Sequence, residues 1–206
     1  MTRTSRASAV AALAALPGAA WAHHFMDGSL PQTLAQGLLS GLGHPLIGID
    51  HMAFIVAAGF FLALVKGGMW GVAALVAGSL VGAALHLAGV DLPWGEIGVA
   101  LSVILIGGLV IARRAIALPW LAAGMLIAGA LHGHAYAEAI FGAETTPLAA
   151  YLAGFSVMQF AVATAAFLAH RWLAAARATW VKPASAGLGA AAGAVGLVFL
   201  VLNLAN

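Results

Sequence analysis

The chain contains no cysteine. That excludes disulfides and thiolate metal sites, and leaves His, Asp and Glu as the strong ligands available. Charge is also scarce. Lys, Arg, Asp and Glu make up 7% of the 206 residues, against roughly 25% in a soluble domain. The eight basic residues are spread along the chain rather than clustered, so there is no patch for nucleic acid. There is no Walker A motif, so the chain has no nucleotide-hydrolysing machinery of that kind. What remains is apolar: 64% of residues are hydrophobic. A soluble fold of this length has too little interior to hide that surface. The expected class is an all-α, polytopic membrane protein.

The first residues read as a processing signal. Arg3 and Arg6 precede the short apolar run Ala9 to Leu16, Pro17-Gly18 breaks it, and Ala20-Trp21-Ala22 has the small-x-small form of a cleavage site. The expectation is a signal peptide over 1–22 and one transmembrane domain over 23–206, with His23 at the mature N-terminus. Six later segments reach membrane length, near 43–65, 69–90, 95–112, 116–139, 148–170 and 185–204, and the first has apolar sequence before it from Leu34. Lys66, Arg113, Arg114, Arg171, Arg177 and Lys182 all follow odd-numbered spans, whereas Asp91, Glu96 and Glu144 follow even-numbered ones. The positive-inside rule then makes the odd-to-even loops cytoplasmic and puts the mature N-terminus outside, in the periplasm of a bacterial inner-membrane protein. Small residues four apart, Gly67/Gly71, Gly78/Gly82 and Gly189/Gly193, allow close helix contact within one chain or in a homo-oligomer.

Two polar groups interrupt the apolar sequence: His44-Pro45-Leu46-Ile47-Gly48-Ile49-Asp50-His51 and His132-Gly133-His134-Ala135-Tyr136-Ala137-Glu138. An Asp at the centre of a membrane helix costs about 2.5–3.5 kcal/mol. Residues of this kind mark an ion or proton path more often than a scaffold. In the expected topology His44, Asp50, His51, His86, His132, His134 and Glu138 all lie in the outer half of the bundle, while Gln159 is the best polar candidate of the inner half. Seven residues of ideal helix separate His44 from His51 by about 10.5 Å along the axis. One ion cannot reach both at bond lengths of about 2.0–2.2 Å. Either the helix breaks between Pro45 and Gly48, or the residues form successive stations. His134 and Glu138 share a helix face, and His132 points away from His134 by about 160°.

Imidazole and carboxylate without sulfur suit Ni²⁺, Co²⁺, Zn²⁺ or Cu²⁺. His23 adds an imidazole outside the membrane. The ordinary alternatives are local. His86 or His134 alone can be a hydrogen-bonded helix residue, and Asp50 with His51 a structural pair. His170 reads as interfacial, Asp91, Glu96 and Glu144 as solvated loop residues, and Trp94, Trp120, Trp172 and Trp180 as interface anchors.

With both motifs in view, the chain resembles the HupE/UreJ family of bacterial membrane proteins. The resemblance covers the signal, the N-terminal His, six spans and the motifs His44–His51 and His132–Glu138. It implies secondary transport of nickel or cobalt into the cytoplasm, with no prosthetic group, and metal handling by His44, Asp50, His51, His132 and Glu138. His86 and His134 join them on spatial grounds alone. The competing classes are a membrane metalloenzyme with His-ligated iron and an external metal-binding or sensing subunit. Metalloenzymes of that kind carry more histidines in His-x-x-His boxes, which this chain lacks.

Overall fold

A computed structural model describes residues 29–114, 116–176 and 179–205. The expected signal peptide, its cleavage site, His23 and Arg177 lie outside the described residues. Among the described residues there are seven helices and no strand: α1 (Leu34–Ile47), α2 (Ile49–Leu62), α3 (Met69–Leu87), α4 (Gly95–Ala112), α5 (Leu118–Glu138), α6 (Thr145–Ala175) and α7 (Val181–Ala205).

The first expected span is therefore two helices. α1 starts on a capping box, in which Thr33 Oγ1 accepts from the Gln36 amide and Gln36 Oε1 accepts from the Thr33 amide. It ends because Pro45 in its last turn cannot donate to the carbonyl four residues back. Gly48 leaves the helical conformation at φ −67°, ψ 103°, and the chain re-enters a helix at Ile49. The axes of α1 and α2 differ by 75°. Of the other helices, α3, α4, α6 and α7 are long and apolar enough to cross a membrane, and the bent pair α1–α2 makes up to five such units. α5 has the length, 21 residues, but its polar cluster lowers its apolar character.

The side chains sort as they do in lipid rather than in water. Leu105 is 64% exposed, Ile127 64% and Leu204 65%, whereas Asp50, His132 and Gln159 are buried. All four expected anchor tryptophans are exposed. Lipid tails are as apolar as Leu, so burial of hydrocarbon gives little drive between helices, and close backbone packing must supply it. α3 and α5 show how. A Cβ on Gly82 would overlap the carbonyl of Ala130, and one on Gly133 the carbonyl of Ser79. Glycine at both positions lets the two backbones touch. The Gly78/Gly82 spacing is thus used inside the chain. α1 lies along α6 and α4 along α7, while α2 sits at the centre against α4, α6 and α7. Phe54, Ile55, Phe61 and Leu62 of α2 form the core with Val72 and Leu75 of α3, Val103 and Ile106 of α4 and Ala163 of α6.

α3 and α5 finish, and α4 and α6 begin, at one end of the bundle. Asp91, Glu138 and Glu144 lie at that end and are exposed. Lys66 and Arg114 lie in the connections at the opposite end, and Lys182 in the first turn of α7 there. One sequence expectation needs correction. Glu96 is not a loop residue; it is half-buried in the first turn of α4, because that helix starts one residue before it. His170, five residues before the end of α6, turns its side chain inward; it is 3% exposed, with its ring edge-on to Phe60 of α2 at 5.0 Å.

Candidate metal centre

The break at Gly48 sets the geometry of the first motif. His44 lies in the last turn of α1, and Asp50 and His51 in the first turn of α2. All three are buried. The His44 and His51 rings are 5.9 Å apart between centroids, well inside the separation of about 10.5 Å that seven residues of straight helix impose. The bend has folded the two ends of the motif together. Asp50 stands at the N-terminus of α2, where backbone amides favour a negative charge. Its Oδ1 accepts from the His51 amide at 2.8 Å. Its Oδ2 is buried and has no hydrogen-bond partner among the described residues.

α5 brings His132 to the same place. His51 Nδ1 and His132 Nδ1 are 2.7 Å apart, and His132 Nε2 is 2.9 Å from Ser102 Oγ on α4. Hydroxyl protons fix the tautomers. Ser102 donates its one proton to Val99 O at 2.7 Å, so it accepts from His132 Nε2–H. His132 Nδ1 is then an acceptor, and His51 Nδ1–H donates to it. On the other side Tyr151 donates its proton to Tyr136 O at 2.7 Å. It therefore accepts from His44 Nδ1–H, also at 2.7 Å. In this pattern the unprotonated nitrogens are His44 Nε2, His51 Nε2 and His132 Nδ1, the last already accepting from His51. The Tyr136 ring packs edge-on to two of the rings, at 5.0 Å from His44 and 4.5 Å from His51. The imidazoles of His44, His51 and His132, from α1, α2 and α5, thus form one buried cluster, with Asp50 next to it on the His51 amide.

His86, His134 and Glu138 form a separate group. Each offers one ligand atom, and the three atoms lie within 4.8 Å of one another. His134 Nε2 lies 3.0 Å from Val90 O and 3.3 Å from His86 Nδ1. The single outward cluster read from the sequence is two groups. They lie on opposite sides of α5, as the 100° step between successive helix residues requires for His132 and His134. His23 is outside the described residues. Tyr151 and Ser102 carry functional contacts that sequence reasoning missed. The available signal was that the chain has only two tyrosines, Tyr136 and Tyr151, both within apolar segments.

A multi-pass helical membrane protein with a buried histidine–carboxylate centre at a broken helix is the class these features define. Within that class the chain belongs to the HupE/UreJ family: the family profile, "HupE / UreJ protein", matches residues 11–199. The chain is 33% identical over 156 residues to "Protein HupE" of Rhizobium leguminosarum bv. viciae, covering 73% of this chain and 75% of that protein. No solved structure matches the chain.

Proposed function

We propose that this chain is a transporter and not an enzyme, carrying a divalent transition metal, nickel or cobalt, into the cytoplasm across the bacterial inner membrane. In this reading residues 1–22 are removed, the mature N-terminus is periplasmic, and the α1–α2 pair and α5 complete six spans. The observation that carries it is the buried centre at the break in α1–α2. His44 and His51, joined by His132 once it releases the hydrogen bond from His51, offer borderline nitrogen ligands and Asp50 one hard oxygen, a set for Ni²⁺, Co²⁺ or Zn²⁺ rather than Mg²⁺ or Ca²⁺. Discontinuous membrane helices place ion sites at such breaks, where the C-terminal end of one half favours a cation. The ion is cargo: His23, at the mature end, meets it outside, and the centre strips its hydration shell. With no nucleotide-binding motif in the chain, transport is secondary or coupled to a separate partner.

Uptake of radioactive nickel in metal-starved cells tests the reading. His44→Ala, Asp50→Ala and His51→Ala are each expected to abolish accumulation at equal protein level. Unchanged uptake in all three overturns it. Binding by the purified protein without uptake into proteoliposomes would instead mark an external metal-binding subunit.

A further inference from the structure

We propose that His86, His134 and Glu138 form a second divalent-metal site, at the rim of the bundle and distinct from the buried centre. The inference goes beyond the transport reading, because it does not depend on the buried centre moving ions.

Three features argue for it. First, the ligand set is convergent. His134 and Glu138 are four residues apart on α5 and share a face. His86 meets them from the last turn of α3, and all three donor atoms fall within 4.8 Å. Tetrahedral donors around one ion at bonds of about 2.1 Å lie about 3.4 Å apart. Closing the site therefore requires a shift of up to about 1.5 Å, and Glu138 is exposed and able to make it. Second, the frame is rigid. The α3–α5 seam brings backbone against backbone at Gly82 and Gly133, so His86 and His134 keep their separation. His134 Nε2, the atom nearest His86 Nδ1, donates to Val90 O in the turn after α3, so ligation through that atom replaces this hydrogen bond. Third, a further carboxyl group stands nearby. Glu96 lies within electrostatic range of both Asp50 and Glu138. A Cβ on its neighbour Gly95 would sit 3.9 Å from His134 Nδ1. The start of α4 therefore brings the Glu96 carboxyl group near the proposed site. Two imidazoles and a carboxylate with open positions suit a borderline transition metal rather than Mg²⁺ or Ca²⁺. His86 is half-buried and Glu138 exposed, so an ion can arrive without passing the buried centre.

The test uses the full-length protein in detergent, with His23 and His24 replaced by Ala to remove N-terminal binding and His51→Ala to disable the buried centre. Zn²⁺ is counted by equilibrium dialysis, and Co²⁺ is followed by its d–d absorption. The expected result is one ion per chain in this background. That ion is lost, or its affinity falls by at least about tenfold, when His86→Ala or Glu138→Gln is added; even partners outside a ligand shell cost that much. Unchanged stoichiometry and affinity in both variants overturns the site. As a second readout, Glu138→Cys places a lone thiol in a cysteine-free chain. Cd²⁺ is expected to shield it from maleimide when His86 and His134 are present and to leave it reactive in His86→Ala. Equal labelling in both also overturns the site. Failure of the transport reading appears elsewhere, as normal uptake by His51→Ala, and leaves these outcomes intact.

Discussion

Tyr151 is the residue on which the orientation of His44 depends. Its hydroxyl stands between His44 Nδ1 and the Tyr136 carbonyl at 2.7 Å from each, and Tyr151 is fully buried. Tyr151→Phe leaves a buried N–H and a buried carbonyl short of a partner, an effect worth about 1–3 kcal/mol. The expected outcome is a correctly folded, less stable protein whose metal affinity falls about 10–100-fold, as for other groups that orient a ligand. Ser102→Ala removes the acceptor of His132 Nε2–H and is expected to act likewise. Thermal unfolding and metal titration check both. If Tyr151 acts through His44, Tyr151→Phe changes metal affinity little in a His44→Ala background. Additive losses in that double-mutant cycle would show an independent role. None of this was legible in the sequence, where a tyrosine and a serine in apolar helices look like ordinary packing residues. The ligand types were legible, because a histidine or aspartate in a membrane segment is costly wherever it points. The partners that aim them come from other helices, and no local pattern encodes that pairing.

At the level of elements, the break at Gly48 and the α3–α5 seam decide where the ligands stand. The break was half legible. Helix geometry forbade His44 and His51 from meeting on a straight helix, and Pro45 and Gly48 named the place. The 75° bend itself depends on α1 lying along α6 while α2 turns into the core, which no local signal reports. The seam was legible only as a spacing. The Gly189/Gly193 pair looks the same in sequence, yet a Cβ on Gly193 meets nothing within 4 Å. Gly133 and Gly187 make the contrast testable, since both lie inside helices. A Cβ on Gly133 overlaps the Ser79 backbone, whereas one on Gly187 meets nothing within 4 Å. Gly133→Ala is expected to destabilise the protein by about 1–3 kcal/mol, the usual cost of overpacking, and to weaken metal binding, because His132 and His134 flank it. Gly187→Ala is expected to be neutral or stabilising by up to about 1 kcal/mol through helix propensity. Melting in detergent, followed by tryptophan fluorescence, separates the two. Equal effects would mean that the seam carries no special load.

Over the whole molecule, charge divides the two ends of the bundle. Asp91, Glu138 and Glu144 gather where α3 and α5 finish and α4 and α6 begin, and both histidine groups lie toward that end. Lys66, Arg114 and Lys182 mark the other end, where Arg113 also donates to Ser185 Oγ and ties α4 to α7. Anionic side chains at the mouth raise the local concentration of a cation before it reaches a ligand. In the proposed reading, the positive-inside rule puts the acidic end in the periplasm and the basic end in the cytoplasm. That proposed orientation, and with it the proposed inward direction of transport, can be tested by accessibility because the chain has no cysteine. Glu144 and Lys182 are both exposed, one at each end. In cells whose outer membrane alone has been opened, a membrane-impermeant maleimide is expected to label Glu144→Cys fully. Lys182→Cys is expected to react only after the inner membrane is also permeabilised. The reverse pattern would place both metal centres on the cytoplasmic side, so that the first ligands an ion meets would be those of an exporter. Labelling of both positions with the inner membrane sealed would show that α6, the helix between them, does not cross, and the six-span reading would fall with the orientation.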